Sequence, residues 1–196
     1  MILRRFTAAD ADGLAALHGS AAVMRYIAPP GPGPSVESIL REYDSLPAGM
    51  GRFAAAAPDF VGWFSLRPAM SAGLAPGDVE LGYRLLPSHW GRGLATEGAL
   101  LLVERAFTEL GLPKVAATTM AVNTASRRVL EKAGLRHTRT FHADWPDPLP
   151  GAEEGDVVYE LTAADRRARW GQVFSVTHRP IRPRKCATKR SCSDTG

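Results

Sequence analysis

The sequence reads as one α/β domain built on a mixed sheet, and three observations carry that reading. Short apolar runs of strand type alternate with stretches of helical periodicity, and no internal repeat occurs. One apolar run, residues 79–86, feeds a glycine-flanked basic turn that leads straight into a periodic helix. At 196 residues and 45% hydrophobic content, the chain is long enough for one well-buried core and short for two.

The elements follow in order. Residues 2–6 form a first strand, and Thr7 can cap a helix over 8–17, with a short helical piece near 23–26. Residues 29–34, Pro-Pro-Gly-Pro-Gly-Pro, break regular structure, and a helix fits 36–46. Residues 53–57 and 60–66 pair around a Pro58-Asp59 turn. The helix after the glycine turn carries Ala95, Ala99, Leu102, Val103, Ala106, Phe107 and Leu110 at helical spacing, one apolar stripe for a sheet, and Gly111 ends it. A strand at 115–119, a helix opened by Asn123, and an antiparallel pair at 136–143 and 157–162 complete the domain.

The turn at residues 90–95, Trp-Gly-Arg-Gly-Leu-Ala, has the chemistry of an anion site. Gly91 and Gly93 let the backbone approach a ligand, the first turn of the helix aims unpaired N–H groups at it, and Arg92 adds a fork of charged donors. A phosphate or pyrophosphate is the natural guest. The phosphate loop of nucleotide hydrolases is excluded, because Ala99 and Leu100 follow Gly98 where Lys and Ser or Thr are required. A dinucleotide fingerprint is excluded too: Thr96 stands where its third glycine belongs, and the connection over 86–90 is too long.

This turn resembles the acetyl-coenzyme-A loop of the GCN5-related N-acetyltransferases, with Trp90 in the place usually held by Gln or Arg. A second segment at the expected distance strengthens the likeness. Residues 123–135, Asn-Thr-Ala-Ser-Arg-Arg-Val-Leu-Glu-Lys-Ala-Gly-Leu, resemble that family's next helix. The Trp-Gly-basic-Gly-x-Ala-Thr-Glu string and Ser126 are similar to the branch that acetylates ribosomal-protein alanines. The resemblance covers about residues 3–161. It implies a mixed, mostly antiparallel central sheet flanked by helices, with one strand pair splayed where the cofactor arm inserts. It implies an acetyl-CoA-dependent transfer of acetyl to a primary amine by direct attack in a ternary complex.

The resemblance assigns site residues. The backbone of Leu85, Leu86 and Pro87 would hold the pantetheine amides as an added strand would, and Trp90, Gly91, Arg92, Gly93, Leu94, Ala95 and Thr96 would form the pyrophosphate loop. Thr96 equally suits a helix start. Glu80 is the candidate base on the strand facing the splayed gap; the plainer reading pairs it with Arg84. Asn123 suits a helix N-cap, a pantetheine contact, or both at once through its backbone and side chain. The family often carries a Tyr acid seven residues after this Asn, and here that residue is Leu130. Ser126 is the best remaining donor near the sulfur, against a hydroxyl bonding its own helix. Arg127, Arg128 and Lys132 either reach the adenosine phosphates or form an exposed face.

The acceptor is read from charge. Asp144, Asp147, Glu153, Glu154 and Asp156, in a proline-stiffened loop with Trp145, favour a cationic amine: a peptide α-amine or a small molecule such as an amino-sugar antibiotic. The net charge of +4 resides in the tail, where six Lys or Arg from residue 179 on face one acid, Asp194, a surplus that leaves the first 170 residues near −1. The expected organisation is therefore an acetyltransferase domain at 1–170 and a basic, disordered tail at 171–196, with nucleic-acid contact confined to the tail. Both cysteines, Cys186 and Cys192, lie in that tail, so the domain relies on no disulfide. No apolar run approaches the ~20 residues of a membrane span, and no signal peptide opens the chain, so a cytoplasmic enzyme is expected. His137 and His142 lack the spacing of a helical metal pair, and no metal is expected. A homodimer is an option. The reading from another class is a noncatalytic module that senses acetyl-CoA or associates with RNA.

Overall fold

Among the described residues, seven strands form one sheet in the order β1-β2-β3-β4-β5-β7-β6. The computed structural model describes residues 1–144 and 146–175; the readings that fell on Trp145 and on residues 176–196, including both cysteines, lie outside them. The strands are β1 (Ile2–Arg4), β2 (Gly51–Ala56), β3 (Phe60–Pro68), β4 (Val79–Leu85), β5 (Lys114–Met120), β6 (Arg136–Phe141) and β7 (Asp156–Thr162). The helices are α1 (Ala11–Gly19), α2 (Ala21–Met24), α3 (Val36–Ser45), α4 (Leu94–Thr108), α5 (Thr124–Lys132) and α6 (Ala163–Ser175).

All neighbouring strands run antiparallel except β4 and β5, which are parallel and meet at the single pair Glu80–Ala116. Beyond that pair the two strands diverge toward their C-terminal ends, so the sheet opens as a V. The expected splay is present, and its closed end is at Glu80.

Each arm of the V alternates its side chains between two faces. On one face Phe64, Leu81, Leu85, Ala117 and Tyr159 pack against Ala99, Leu102, Val103 and Ala106 of α4 and Leu130 of α5, all buried. The apolar stripe read for α4 is the stripe it buries. On the other face Ala54 and Trp63 pack with Leu14 and Leu17 of α1 and Val36 and Ile39 of α3. This second face is narrower and mixed with charge, because Arg52, Ser65 and Glu80 are buried on the same strand faces.

Several element ends differ from the sequence expectation, among them those of β1, α2, β2 and β6, and two differences have a visible cause. The first helix starts at Ala11 after a single 3-10 turn, Ala8–Asp10, because the buried Asp10 carboxylate reaches back to the Thr7 N–H (2.8 Å) and is clamped by both Arg4 terminal nitrogens (2.7 Å each). The chain after β7 is helical to Ser175, running into the segment read as tail. Thr162 starts that helix by accepting the Asp165 N–H (3.0 Å) while donating to the Asp165 carboxylate (2.7 Å), a reciprocal cap readable in Thr-Ala-Ala-Asp.

β4 lies hard against β3 at Gly62, whose φ is +153°. A Cβ there would lie 2.1 Å from the Arg84 carbonyl oxygen and 2.7 Å from the Leu85 Cα, both backbone atoms that cannot swing aside. Gly62→Ala is expected to destabilise the domain by about 3 kcal/mol or more, measured by urea unfolding, as the end of β4 is forced off β3.

Candidate active site

The end of β4 turns through Pro87–His89, one 3-10 turn, into the glycine loop. Gly91 (φ +72°) and Gly93 (φ +79°) both occupy the left-handed region, and a Cβ at either would meet only open space. Backbone conformation, not crowding, is what requires glycine at both. Gly93 is the N-cap of α4 and accepts the Glu97 N–H at 3.0 Å. The N–H groups of Leu94, Ala95 and Thr96 precede that first intrahelical bond and point out of the helix end. Leu94 and Ala95 anchor the turn by packing their side chains on the core, while Arg92 is exposed beside it. Trp90 braces the loop: its indole Nε1–H donates to the Leu85 carbonyl at 2.8 Å, which folds the loop back on the strand it leaves.

Hydrogen bonding decides which backbone groups the strand end leaves available. The Leu86 N–H donates to Val61 of β3 at 2.9 Å and so faces away from the V. Pro87 has no N–H, and its carbonyl accepts from the Trp90 amide at 3.1 Å. Only Leu85, by alternation, turns its backbone toward the gap. The strand backbone offered to the gap on this arm is therefore that of Leu85 and Tyr83, not that of Leu86 or Pro87.

Across the gap, Asn123 is the N-cap of α5: its Oδ1 accepts the Ser126 N–H (3.2 Å) and its amide donates to Thr119 Oγ1 (3.1 Å). The capping reading holds, and both polar groups of the side chain are engaged. Ser126 is met by a residue that sequence reasoning did not single out. Tyr83 of β4 places its hydroxyl 2.9 Å from Ser126 Oγ and donates to the Ser126 carbonyl at 3.1 Å, so two hydroxyls bridge the arms of the V. Burial pushes the Tyr83 phenol up to about 12, which keeps its proton in place at neutral pH. The available signal was a Tyr alternating with Leu81 and Leu85 on an apolar strand face, where a phenol needs a partner. Leu130, in the place of the family's Tyr, is buried core.

Glu80 does not join this pair. It lies on the opposite sheet face, at the closed end of the V, and its carboxylate accepts the Ser71 hydroxyl and, at 3.5 Å, the Met70 N–H. Nor does it pair with Arg84, whose guanidinium donates to His18 Nδ1 at 3.1 Å and to the Met24 sulfur at 3.5 Å. Arg127 is likewise committed, to the Tyr159 hydroxyl and the Ala121 carbonyl (both 3.1 Å), while Arg128 and Lys132 are exposed on the same helix. At the C-terminal end of β5, Met120 lines a cavity of about 320 Å³ between the chain after α2 (Tyr26 to Pro29) and the acidic loop, where Asp147, Leu149 and Asp156 line it. Among the described residues, no group of three or more His, Cys, Asp or Glu is arranged to hold a metal.

A family model described as an acetyltransferase (GNAT) domain matches residues 1–136. The chain belongs to that family. GNAT acetyltransferases use acetyl-coenzyme A as co-substrate, and the glycine loop, the free amides of α4 and the open V of this GNAT domain fit that molecule. FsC-acetyl coenzyme A-N(2)-transacetylase of Aspergillus fumigatus is 38% identical over 130 residues, 60% of this chain and 55% of its own. The chain thus spans about half the length of that curated relative. Among solved structures, the fold is shared with spermidine N-acetyltransferase of Vibrio cholerae in complex with CoA and spermine (TM-score 0.65, 17% identity, 84% of this chain and 96% of that one). It is also shared with an aminoglycoside acetyltransferase in complex with coenzyme A (TM-score 0.60, 20% identity, 85% and 98%).

Gly93→Glu strains the left-handed cap and sets a carboxylate against the expected phosphates; acetyl-CoA affinity should fall roughly hundredfold by calorimetry, with folding retained by circular dichroism. His18 is 3% exposed, and burial beside Arg84 and Arg52 lowers its pKa from 6.5 to about 4. The unfolded chain then binds the extra proton first, so stability is full above pH 6.5 and declines as pH falls toward 4. Between pH 7.5 and pH 5 the loss should be about 2 kcal/mol by urea unfolding, and His18→Gln should remove that slope.

Proposed function

We propose that this GNAT domain is an acetyl-CoA-dependent N-acetyltransferase that acetylates a primary amine by direct attack within a ternary complex. The observation that carries the reading is the one-point pairing of β4 and β5, which opens a V between a loop of free amides on one side and an acidic-walled cavity on the other. When bound, acetyl-CoA would supply an activated acetyl thioester.

The chain's own residues then divide the work. Gly91 to Thr96 and Arg92 hold the pyrophosphate, and the Leu85 and Tyr83 backbone aligns the pantetheine arm. Ser126 donates the proton that the departing thiolate needs and regains one from solvent, while Tyr83, donating to the Ser126 carbonyl with its oxygen 2.9 Å from Ser126 Oγ, holds the serine in position. Asp147 and Asp156 draw the amine into the cavity, and its proton leaves through solvent there. Glu80, buried and bonded to the β3–β4 connection, holds the closed end of the V and takes no part in proton transfer.

The acceptor is an amine of a small molecule or peptide. The relative named as an N(2)-transacetylase, the spermidine and aminoglycoside acetyltransferases that share the fold, and the likeness to the ribosomal-protein branch supply the classes to compare. Free-thiol release from acetyl-CoA should be followed with amino acids, peptide α-amines, polyamines and aminoglycosides. Ser126→Ala should lower kcat about ten- to a thousandfold and Tyr83→Phe about tenfold, both with acetyl-CoA binding unchanged, while Glu80→Gln stays within about threefold of the parent. Full turnover by Ser126→Ala would remove the serine from the mechanism.

A further inference from the structure

The sheet face on the acceptor side of the V carries buried donors without acceptors. Trp63 of β3 stands between Ala54 of β2 and Arg84 of β4 in the strand register, and Arg52 lies two positions along β2 on the same face. The Arg52 and Arg84 guanidinium carbons sit 4.8 and 5.2 Å from the Trp63 ring centroid. His18 of α1 closes the group through its 3.1 Å bond with Arg84. An arginine can only donate, so His18 Nδ1 accepts and the imidazole is neutral with its proton on Nε2.

That Nε2–H, the Trp63 Nε1–H and the Arg52 Nε–H are all buried and have no hydrogen-bond partner among the described residues. Carboxylates are also short. Glu42 is shared by Arg67 (2.9 Å) and Arg52 (3.7 Å), and Glu80 is taken by Ser71 and Met70, which leaves Arg84 with no anionic partner among the described residues. Burial and the charges of Arg52 and Arg67 press the Arg84 guanidinium down to about 10, as expected of a cation without a counter-ion. Buried donors in such number call for an acceptor-rich, negatively charged group.

Position says whose group it is. Counting equally along both arms from the Glu80–Ala116 pair brings Arg84 level with Met120, the floor of the cavity, with both side chains on the same sheet face. Arg84 thus lies on the β4 arm of the V, and Asp147 and Asp156 line the cavity beyond the β5 arm. We infer that Arg84, with His18 and Trp63, forms a subsite for the carboxylate of the acceptor, so that the amine acetylated here belongs to an amino carboxylate rather than to a polyamine or an aminoglycoside. The inference rests on the acetyltransferase reading above and specifies its acceptor.

The test compares acceptors that differ only in this group: amino acids and dipeptides against the corresponding carboxamides, with spermidine and kanamycin as polycations, read by thiol release and by calorimetry on the CoA-loaded protein. The carboxylate forms should show kcat/KM, and affinity, about ten- to a hundredfold above their amides. Arg84→Gln should bring each pair within about twofold without changing the acetyl-CoA affinity, and Arg84→Lys should restore part of the preference. Equal or better turnover or binding of amides or polycations by the parent, or an unchanged preference in Arg84→Gln, would overturn the subsite and leave the acetyltransferase reading standing. Failure of the parent to bind acetyl-CoA would instead bring down that underlying reading, and with it this one.

Discussion

The one-point pairing of β4 with β5 is the constraint on which the molecule depends. Every other strand contact in the sheet is an antiparallel ladder, and the only parallel neighbours share one residue pair, Glu80 with Ala116. Strands that part after one pair leave backbone groups facing a gap, and such groups must be matched by something other than the partner strand. Tyr83 and Ser126 bridge part of that gap with side-chain hydroxyls, and Trp90 satisfies the Leu85 carbonyl. What stays open is a slot lined by strand backbone, which suits the amide-bearing arm of coenzyme A.

The V also keeps the two halves of the proposed reaction apart. Odd-numbered residues of β4 face α4 and α5, where the glycine loop and the Tyr83–Ser126 pair lie. Even-numbered residues face α1, where Glu80 and Arg84 lie. In the proposed reaction, alternation along one strand would thus give cofactor handling to one sheet face and acceptor handling to the other. The core follows the same division. The α4 face is almost wholly apolar and carries most of the burial, while the α1 face admits Arg52, His18 and Glu80 at the expense of a larger hydrophobic cluster. Buried charge of that kind does little for stability, so the preference for a ligand-facing role there is physical.

Much of this is legible in the chain itself. The helix after the glycine turn, the strand that feeds it, the capping Asn123 and the closing strand pair rest on local periodicity and turn chemistry, and they fold as read. Gly91 and Gly93 are legible because a left-handed backbone at the start of a helix asks for glycine whatever packs around it. Glu80 is not, because its strand position is local information, whereas its distance from the open end of the V depends on where β5 stops pairing. Leu86 and Pro87 escape the sequence for a related reason: which edge of a strand an amide faces is decided by the neighbour it bonds, here Val61.

The sequence by itself determined the elements, the glycine turn and the family, because each is written in residues close together along the chain and in the conformations those residues allow. The tertiary structure alone decided which hydroxyl meets Ser126, where the acid at Glu80 sits, and that Arg84 is left without a carboxylate among the described residues. Those contacts join residues far apart in the chain, Tyr83 to Ser126 and His18 to Arg84, and only the register of the sheet and the packing of its two faces bring them together.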